Sequence, residues 1–136
     1  MNHGRQSDAA KRYTERKKRE DEAPRLKDEV PALTTLKLKI EERREGSTTP
    51  EVTHTRPIVV EHAPALFMFL CGDPHCDGGG HDVTYAILRA LSRGEESFEG
   101  EDACLGSVGT GGCRRILRYA GYATYAKPVG AAEPER

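Results

Sequence analysis

Cys71-Gly-Asp-Pro-His-Cys76 is the stretch on which the interpretation of this chain rests, and Cys104-Leu-Gly-Ser-Val-Gly-Thr-Gly-Gly-Cys113 is its counterpart. Each segment begins and ends with a cysteine and holds turn-forming residues between the two. Aspartate and proline favour a tight turn, and glycine permits the positive φ that a sharply folded loop needs. The chain contains 4 cysteines, so the two segments leave none over. The pattern predicts two loops that bring four thiols together.

Four thiols at one place are typical of a metal site. Zinc takes four ligands at tetrahedral corners, and two loops that each supply a pair are the common way to provide them. We therefore predict one structural Zn²⁺ ion, bound by Cys71, Cys76, Cys104 and Cys113. His75 and His81 are possible substitutes for one of these cysteines. The pattern resembles zinc-ribbon-like proteins in the general sense that turns bring two cysteine pairs together.

Other uses of the four thiols stay open at this stage. The residues within each pair are farther apart along the chain than in a zinc knuckle, where two residues separate the ligands. Disulfides in three connectivities, an iron–sulfur cluster and unrelated buried thiols are the alternatives. The segment Met1–Ser7 lacks the apolar stretch of a secretory signal, and no apolar run is long enough to span a bilayer. These features predict a cytoplasmic protein, where cysteines more often bind metals than form disulfides.

The sequence next to the first cysteine loop predicts one strand and one helix. Residues 65–70 form a continuous apolar run, which predicts a central strand ending at Cys71. After the loop, apolar residues recur with helical spacing, with Asp82 as the expected N-cap and Gly94 at the C-terminal end. The apolar positions of this helix are Val83, Ala86, Ile87, Ala90 and Leu91.

Three further segments favour strands. Leu36, Leu38 and Ile40 alternate with charged residues, which is typical of a strand with one solvated face. Residues 53–61 are β-rich, and Pro57 predicts an edge position because proline cannot donate to a ladder. Residues 114–127 also alternate, with helix as the alternative. We therefore predict an α+β fold with an antiparallel sheet of about four strands and one packed helix.

The chain is expected to divide into a core and two tails. Residues 1–31 are predicted to form a charged tail, either disordered or a solvated helix, since a basic run at 11–19 precedes acids and few apolar residues occur. Residues 32–128 are the predicted zinc-binding domain. Residues 129–136 are predicted to be a disordered C-terminal tail.

A non-enzymatic protein-interaction or adaptor module is the function that these features favour. The zinc domain would serve as a rigid platform, and the charged N-terminal segment would become ordered on a partner protein. The chain has 21 lysines and arginines against 22 aspartates and glutamates, for a formal net charge of -1. This balance argues against general attraction to nucleic acid or to anionic membranes.

Single-stranded nucleic-acid binding is the main alternative. Arginine pairs with phosphate and tyrosine stacks on bases, and both recur in residues 114–127. The basic run at 11–19 would add to this binding surface. The predicted contact residues are Arg114, Arg115, Arg118, Tyr119, Tyr122 and Tyr125.

A zinc-dependent hydrolase is the third hypothesis. In such an enzyme three ligands would hold the metal, a water molecule would occupy the fourth position, and Asp73, Asp77 or Asp82 would act as base. The oligomeric state is not predicted.

Overall fold

The computed structural model describes residues 8–127 and shows an α+β fold. The predicted C-terminal tail, residues 129–136, and the first seven positions of the predicted N-terminal tail lie outside the described residues. The helices are α1 (Asp8–Glu22), α2 (Leu26–Glu29) and α3 (Thr84–Ser92). The strands are β1 (Leu33–Arg43), β2 (Val52–Ile58), β3 (Met68–Phe69), β4 (His81–Asp82), β5 (Ser97–Ala103), β6 (Ser107–Val108), β7 (Gly111–Gly112) and β8 (Ile116–Tyr125).

Four strands form one antiparallel sheet in the order β2-β1-β8-β5, which confirms the predicted sheet. Alternation along β1 buries Leu36, Leu38 and Ile40 on one face, where they meet Leu117 of β8. The opposite face is charged and solvated, and on it Lys39 forms an ion pair with its neighbour Glu41. The sheet therefore has a single packed face. β2 is an edge strand, as Pro57 predicted.

The predicted helix is α3, and it packs into the core through its apolar face. Ile87 and Leu91 are 0% and 1% exposed and belong to the same apolar cluster as the sheet residues. The helix begins at Thr84 with Val83 as its N-cap, so the prediction of Asp82 as N-cap is off by one position. Asp82 Oδ1 accepts the backbone N–H of Thr84 over 3.1 Å. Gly94 follows the helix with a φ of 74°, a conformation that glycine adopts without strain.

The predicted central strand at residues 65–70 is wrong. Within that run, the structure assigns strand to β3 alone, which pairs with β4 in a separate two-stranded sheet. Ala65, Phe67 and Phe69 are buried all the same, because the run packs on the apolar face of the main sheet. A continuous apolar run signals burial, and it does not by itself signal strand pairing.

The fourth strand of the main sheet is β5, in the acidic stretch to which the sequence assigned no element. It is an edge strand paired with β8. Its glutamates Glu99 and Glu101 point away from the core and pair with Arg118 of β8 and Arg43 of β1, respectively. Charged side chains on one face of an edge strand are common. The opposite face of β5 carries Phe98, Gly100 and Asp102, so the sequence shows no alternation of apolar and polar residues.

The packed part of the chain begins inside the segment predicted as a tail. Leu26 and Val30 are 0% and 5% exposed and belong to the main core. Backbone hydrogen bonds join this segment to residues 63–65: the Leu26 N–H donates to Ala63 O over 2.9 Å. The predicted tail therefore extends too far toward the C terminus. Among the described residues, no helix combines the length and the apolar character needed to cross a membrane.

Candidate metal centre

Two loops carry the four cysteines, and short backbone pairings hold the loops against each other. Cys71 and Cys76 lie between β3 and β4, whereas Cys104 and Cys113 flank the hairpin made by β6 and β7. Asp77 and Ser107 join the two loops, since each donates its N–H to the other's carbonyl oxygen over 2.8 and 3.0 Å. The two turn-rich loops therefore contact each other, as the sequence predicted.

The four thiols form one compact cluster. All four Sγ atoms lie within 4.8 Å of one another. Two pairs are 3.6 Å apart, Cys71 with Cys113 and Cys76 with Cys104, so each close pair takes one sulfur from each loop. The four cysteines are not joined in disulfides, and Cys113 is the most exposed of them. This arrangement could hold a metal ion at the centre of the four sulfurs.

Two glycines allow the sulfurs to come this close. A Cβ atom on Gly106 would lie 2.6 Å from Cys76 Sγ, and one on Gly79 would overlap the sulfurs of both Cys76 and Cys104. Real Cβ atoms do not tolerate such distances, so any larger residue would push the loops apart. The sequence assigned the loop glycines to turn geometry alone and missed this role of Gly79.

Backbone N–H groups point at the sulfurs and favour the thiolate form. Cys104 Sγ accepts hydrogen bonds from the N–H groups of Gly80 and Gly106 over 3.3 and 3.4 Å. Burial raises the pKa of Cys104, but these donors outweigh it and the net pKa is lowered. Burial raises the pKa of Cys71, and it raises that of Cys76 to about 11. Cys104 therefore ionises more readily than Cys71 or Cys76.

A buried ion-pair network lies beside the cysteine loops, and the sequence interpretation missed it. Glu42 and Arg115 are 6% and 8% exposed and pair with each other. Arg115 Nη1 also donates to Glu51 Oε1 over 2.8 Å, which lowers the pKa of Glu51. The signal was present in β1, because Glu42 continues the apolar face of Leu36, Leu38 and Ile40 at the same two-residue period.

This network connects both cysteine loops to the main sheet. The Gly72 N–H, next to Cys71, donates to Glu42 Oε1 over 3.1 Å. In the second loop, the Cys104 N–H donates to the backbone carbonyl of Arg115 over 2.8 Å. Glu42 and Arg115 therefore position the backbone on both sides of the thiol cluster.

The two histidines considered as ligands lie apart from the four-thiol cluster. His75 is exposed, and its backbone N–H donates to Asp73 Oδ1 over 2.9 Å. His81 is buried, with Nδ1 2.8 Å from Asp102 Oδ2. The described cysteines form the cluster without either histidine.

The three acids considered as catalytic bases have structural contacts. Asp73 accepts the turn hydrogen bond from His75, and the backbone of Asp77 joins the two loops. Asp82 accepts from the first residue of α3, and its other oxygen lies 3.4 Å from Arg19 Nη2. The carboxylates of Asp73 and Asp82 thus stabilise a turn and a helix start, and Asp77 takes part in loop pairing through its backbone.

The six residues predicted to contact nucleic acid do not form one surface. Alternation along β8 turns Tyr119 into the core, at 5% exposed, while Tyr122 faces solvent at 47%. Tyr125 is partly buried and donates its hydroxyl hydrogen to Glu95 O over 2.6 Å. Lys37 Nζ lies 5.7 Å from the centroid of the Tyr122 ring. Of the three predicted tyrosines, Tyr122 is thus the one with an exposed ring, and Lys37 lies over that ring.

The three arginines of this set each pair with a glutamate. Arg115 belongs to the buried network described above. Arg118 Nη2 lies 2.7 Å from Glu99 Oε1, and Arg114 Nη2 lies 2.7 Å from Glu45 Oε2. Both of these pairs are exposed. Their positive charge is offset locally, which weakens attraction for phosphate.

Fold and site together define a small α+β domain that carries a four-cysteine cluster able to hold a metal ion. Comparison of the chain with known protein families, with curated proteins and with solved structures gave no match.

Proposed function

We propose that the four cysteines hold one structural zinc ion. Zinc–sulfur bonds of about 2.3 Å at tetrahedral corners place the sulfurs about 3.8 Å apart. The 3.6 Å separation of Cys71 from Cys113 and of Cys76 from Cys104 fits this value, and all four sulfurs lie within 4.8 Å of one another. An iron–sulfur cluster would insert several atoms between the thiolates and would require wider spacing. The sulfur geometry is the observation that carries the proposal.

The surroundings of the thiols suggest why a metal would be needed. Cys71, Cys76 and Cys104 form a buried cluster separate from the main core, with Val108 as its nearest aliphatic companion. The loops around them contain only two-residue strands, so they bury little apolar surface. Metal binding would supply the folding free energy that this region lacks, because the binding free energy of a structural site becomes folding free energy.

We infer that the domain acts as a non-enzymatic protein-interaction module. Four thiolates fill the coordination shell and leave no position for a water molecule to be activated. The metal would then hold the two loops as a rigid surface. The adjoining charged helix α1 adds a second element to that surface, since its Arg19 reaches Asp82.

Mass spectrometry of untagged protein tests the zinc site. Native spectra are expected to show one zinc per chain, and denaturing spectra none. Thiol labelling should find no reactive cysteine before chelation and all 4 cysteines of the chain after it. A visible absorption band would identify iron instead. Folded protein without any metal would contradict the proposal.

A cysteine variant and a control variant in the same loop are compared for their zinc content. Cys104→Ser removes a ligand and should lower the zinc content, with loss of order in both loops. Ser107→Ala alters an exposed side chain in the same hairpin and keeps all four thiols. Equal zinc content in the two variants would contradict a four-thiolate site.

A further inference from the structure

An open groove lies between helix α1 and the cysteine loops. It has a volume of about 390 Å³ and is lined mainly by apolar atoms. Met68, Leu70, Ala103 and Leu105 contribute to its walls. Leu105 is 94% exposed and Leu70 is 37% exposed. Exposed leucines are common one at a time, but two beside one groove mark a candidate binding surface.

The backbone positions of these two leucines are set by the cysteines next to them. Leu70 directly precedes Cys71, and Leu105 directly follows Cys104. The backbone at each leucine is therefore fixed next to a sulfur of the thiol cluster. Because this backbone is already ordered, a partner that covers the leucines would not have to order it, which favours binding.

The charges along the groove indicate the partner's chemistry. Three carboxylates line it, those of Glu15, Asp82 and Asp102, against the single guanidinium of Arg16. Arg16 is itself paired with Glu20 over 3.2 Å. Arg19 offsets Asp82, and Asp102 Oδ2 lies 2.8 Å from Nδ1 of the buried His81, so Glu15 is the main negative charge that the rim presents to a partner. A basic group would find complementary charge there.

We propose that this groove binds a peptide segment of a partner protein in which a large apolar side chain lies next to lysine or arginine. The apolar side chain contacts Leu70 and Leu105, and the basic side chain reaches the carboxylates at the rim. This inference rests on the proposed function as an interaction module and names the surface that performs it.

Designed peptides test the groove on the full chain. The probes are fluorescein-labelled dodecapeptides with a Gly/Ser background and a central Leu-Arg-Leu-Lys sequence. Matched peptides carry Glu in place of Arg and Lys, or Ser in place of Leu. We expect only the basic apolar peptide to bind, with an affinity that falls as NaCl is raised. Amide chemical shifts of ¹⁵N-labelled protein should change at residues 68–70, 78–82 and 102–105.

Two variants and two controls locate the binding. Leu105→Ser and Glu15→Lys should each weaken binding by about tenfold or more. Val59→Ser removes an apolar side chain that is 61% exposed but lies outside the groove, and Glu22→Lys reverses an exposed charge elsewhere on α1. Both controls should bind like the original chain.

Three results would overturn the inference. These are equal binding of the acidic and basic peptides, no binding at about 1 mM peptide, and self-association that is lost in Leu105→Ser. The last would identify a second copy of the chain as the occupant. Zinc content is measured on the same samples, so failure of the groove with zinc present is distinguishable from failure of the metal site.

Discussion

Replacing Arg115 with methionine is expected to destabilise the domain more than the same change at any exposed arginine. Methionine keeps much of the length of the side chain and removes its charge. Glu42, whose side chain is 7% exposed, would be left as a buried carboxylate without its arginine. The backbone bond from Cys104 to the carbonyl of residue 115 is retained, so the variant isolates the effect of the side chain.

The expected loss of stability follows from the burial of the Glu42–Arg115 ion pair. Removing one partner of a buried ion pair costs about 3–5 kcal/mol, because the remaining charge is neither solvated nor compensated. Arg118→Met is the matched control, since Arg118 also pairs with a glutamate and the two side chains are 49% and 63% exposed. Loss of an exposed pair costs about 1 kcal/mol or less. The double variant Glu42→Met/Arg115→Met should regain much of the lost stability.

Urea unfolding of metal-loaded protein, followed by circular dichroism, measures these differences. A chelator competition on the same variants reports whether the cysteine loops are affected, since Glu42 also binds the Gly72 N–H. We expect Arg115→Met to lose metal at lower chelator concentration than Arg118→Met. Equal unfolding midpoints for the two variants would refute the argument that the buried network supports the site.

Three further predictions concern the loops and the alternative function. Gly79→Ala should sharply weaken metal binding in a chelator competition, because the new Cβ would overlap two sulfurs. Gly111→Ala is the control and should keep its metal affinity, since its Cβ would approach nothing nearer than 3.9 Å. Similar metal affinities of the two variants would contradict the packing argument. Metal affinity should rise with pH between about 6.5 and 8. The reason is that burial keeps Cys71 and Cys76 protonated without metal, and each bound ion must displace those protons. A metal affinity that does not change with pH would show that the thiols are already ionised. A panel of random single-stranded oligonucleotides should give no salt-dependent shift, because the arginines of residues 114–127 are paired with glutamates; a shift at low salt would restore the nucleic-acid hypothesis.

The spacing of apolar residues along the sequence predicted those strands and helices that have one apolar and one polar face. Alternation identified β1 and β8, helical spacing identified α3, and the proline in β2 indicated an edge strand. The run at residues 65–70 was assigned to the wrong element because its burial comes from packing on a sheet formed by other strands. The edge strand β5 was missed because its inward positions are Phe98, Gly100 and Asp102, of which only Phe98 is a large apolar residue.

The cysteine cluster was predictable for a different reason. Cysteines at the ends of glycine-rich turns have few structural roles, so residue type and context together indicated the site. The close approach at Gly79 depends on which loop faces which, and that is a property of the tertiary fold. The exposed position of Leu105 likewise follows from the folded hairpin and has no signature in the local sequence.

Glu42 shows how one strand can serve both the core and the site. Three positions of β1 that share its face are buried aliphatic residues of the core, and the fourth, toward the end of the strand, is a buried carboxylate. A charge at that position would be costly without a partner, and Arg115 supplies one from the segment that follows Cys113. The same carboxylate accepts the N–H next to Cys71. The same two-residue alternation in β1 thus supplies both the apolar packing of the core and a contact that supports the loop of Cys71. Substitutions that disturb the register of β1 should therefore impair the thiol cluster as well as the core.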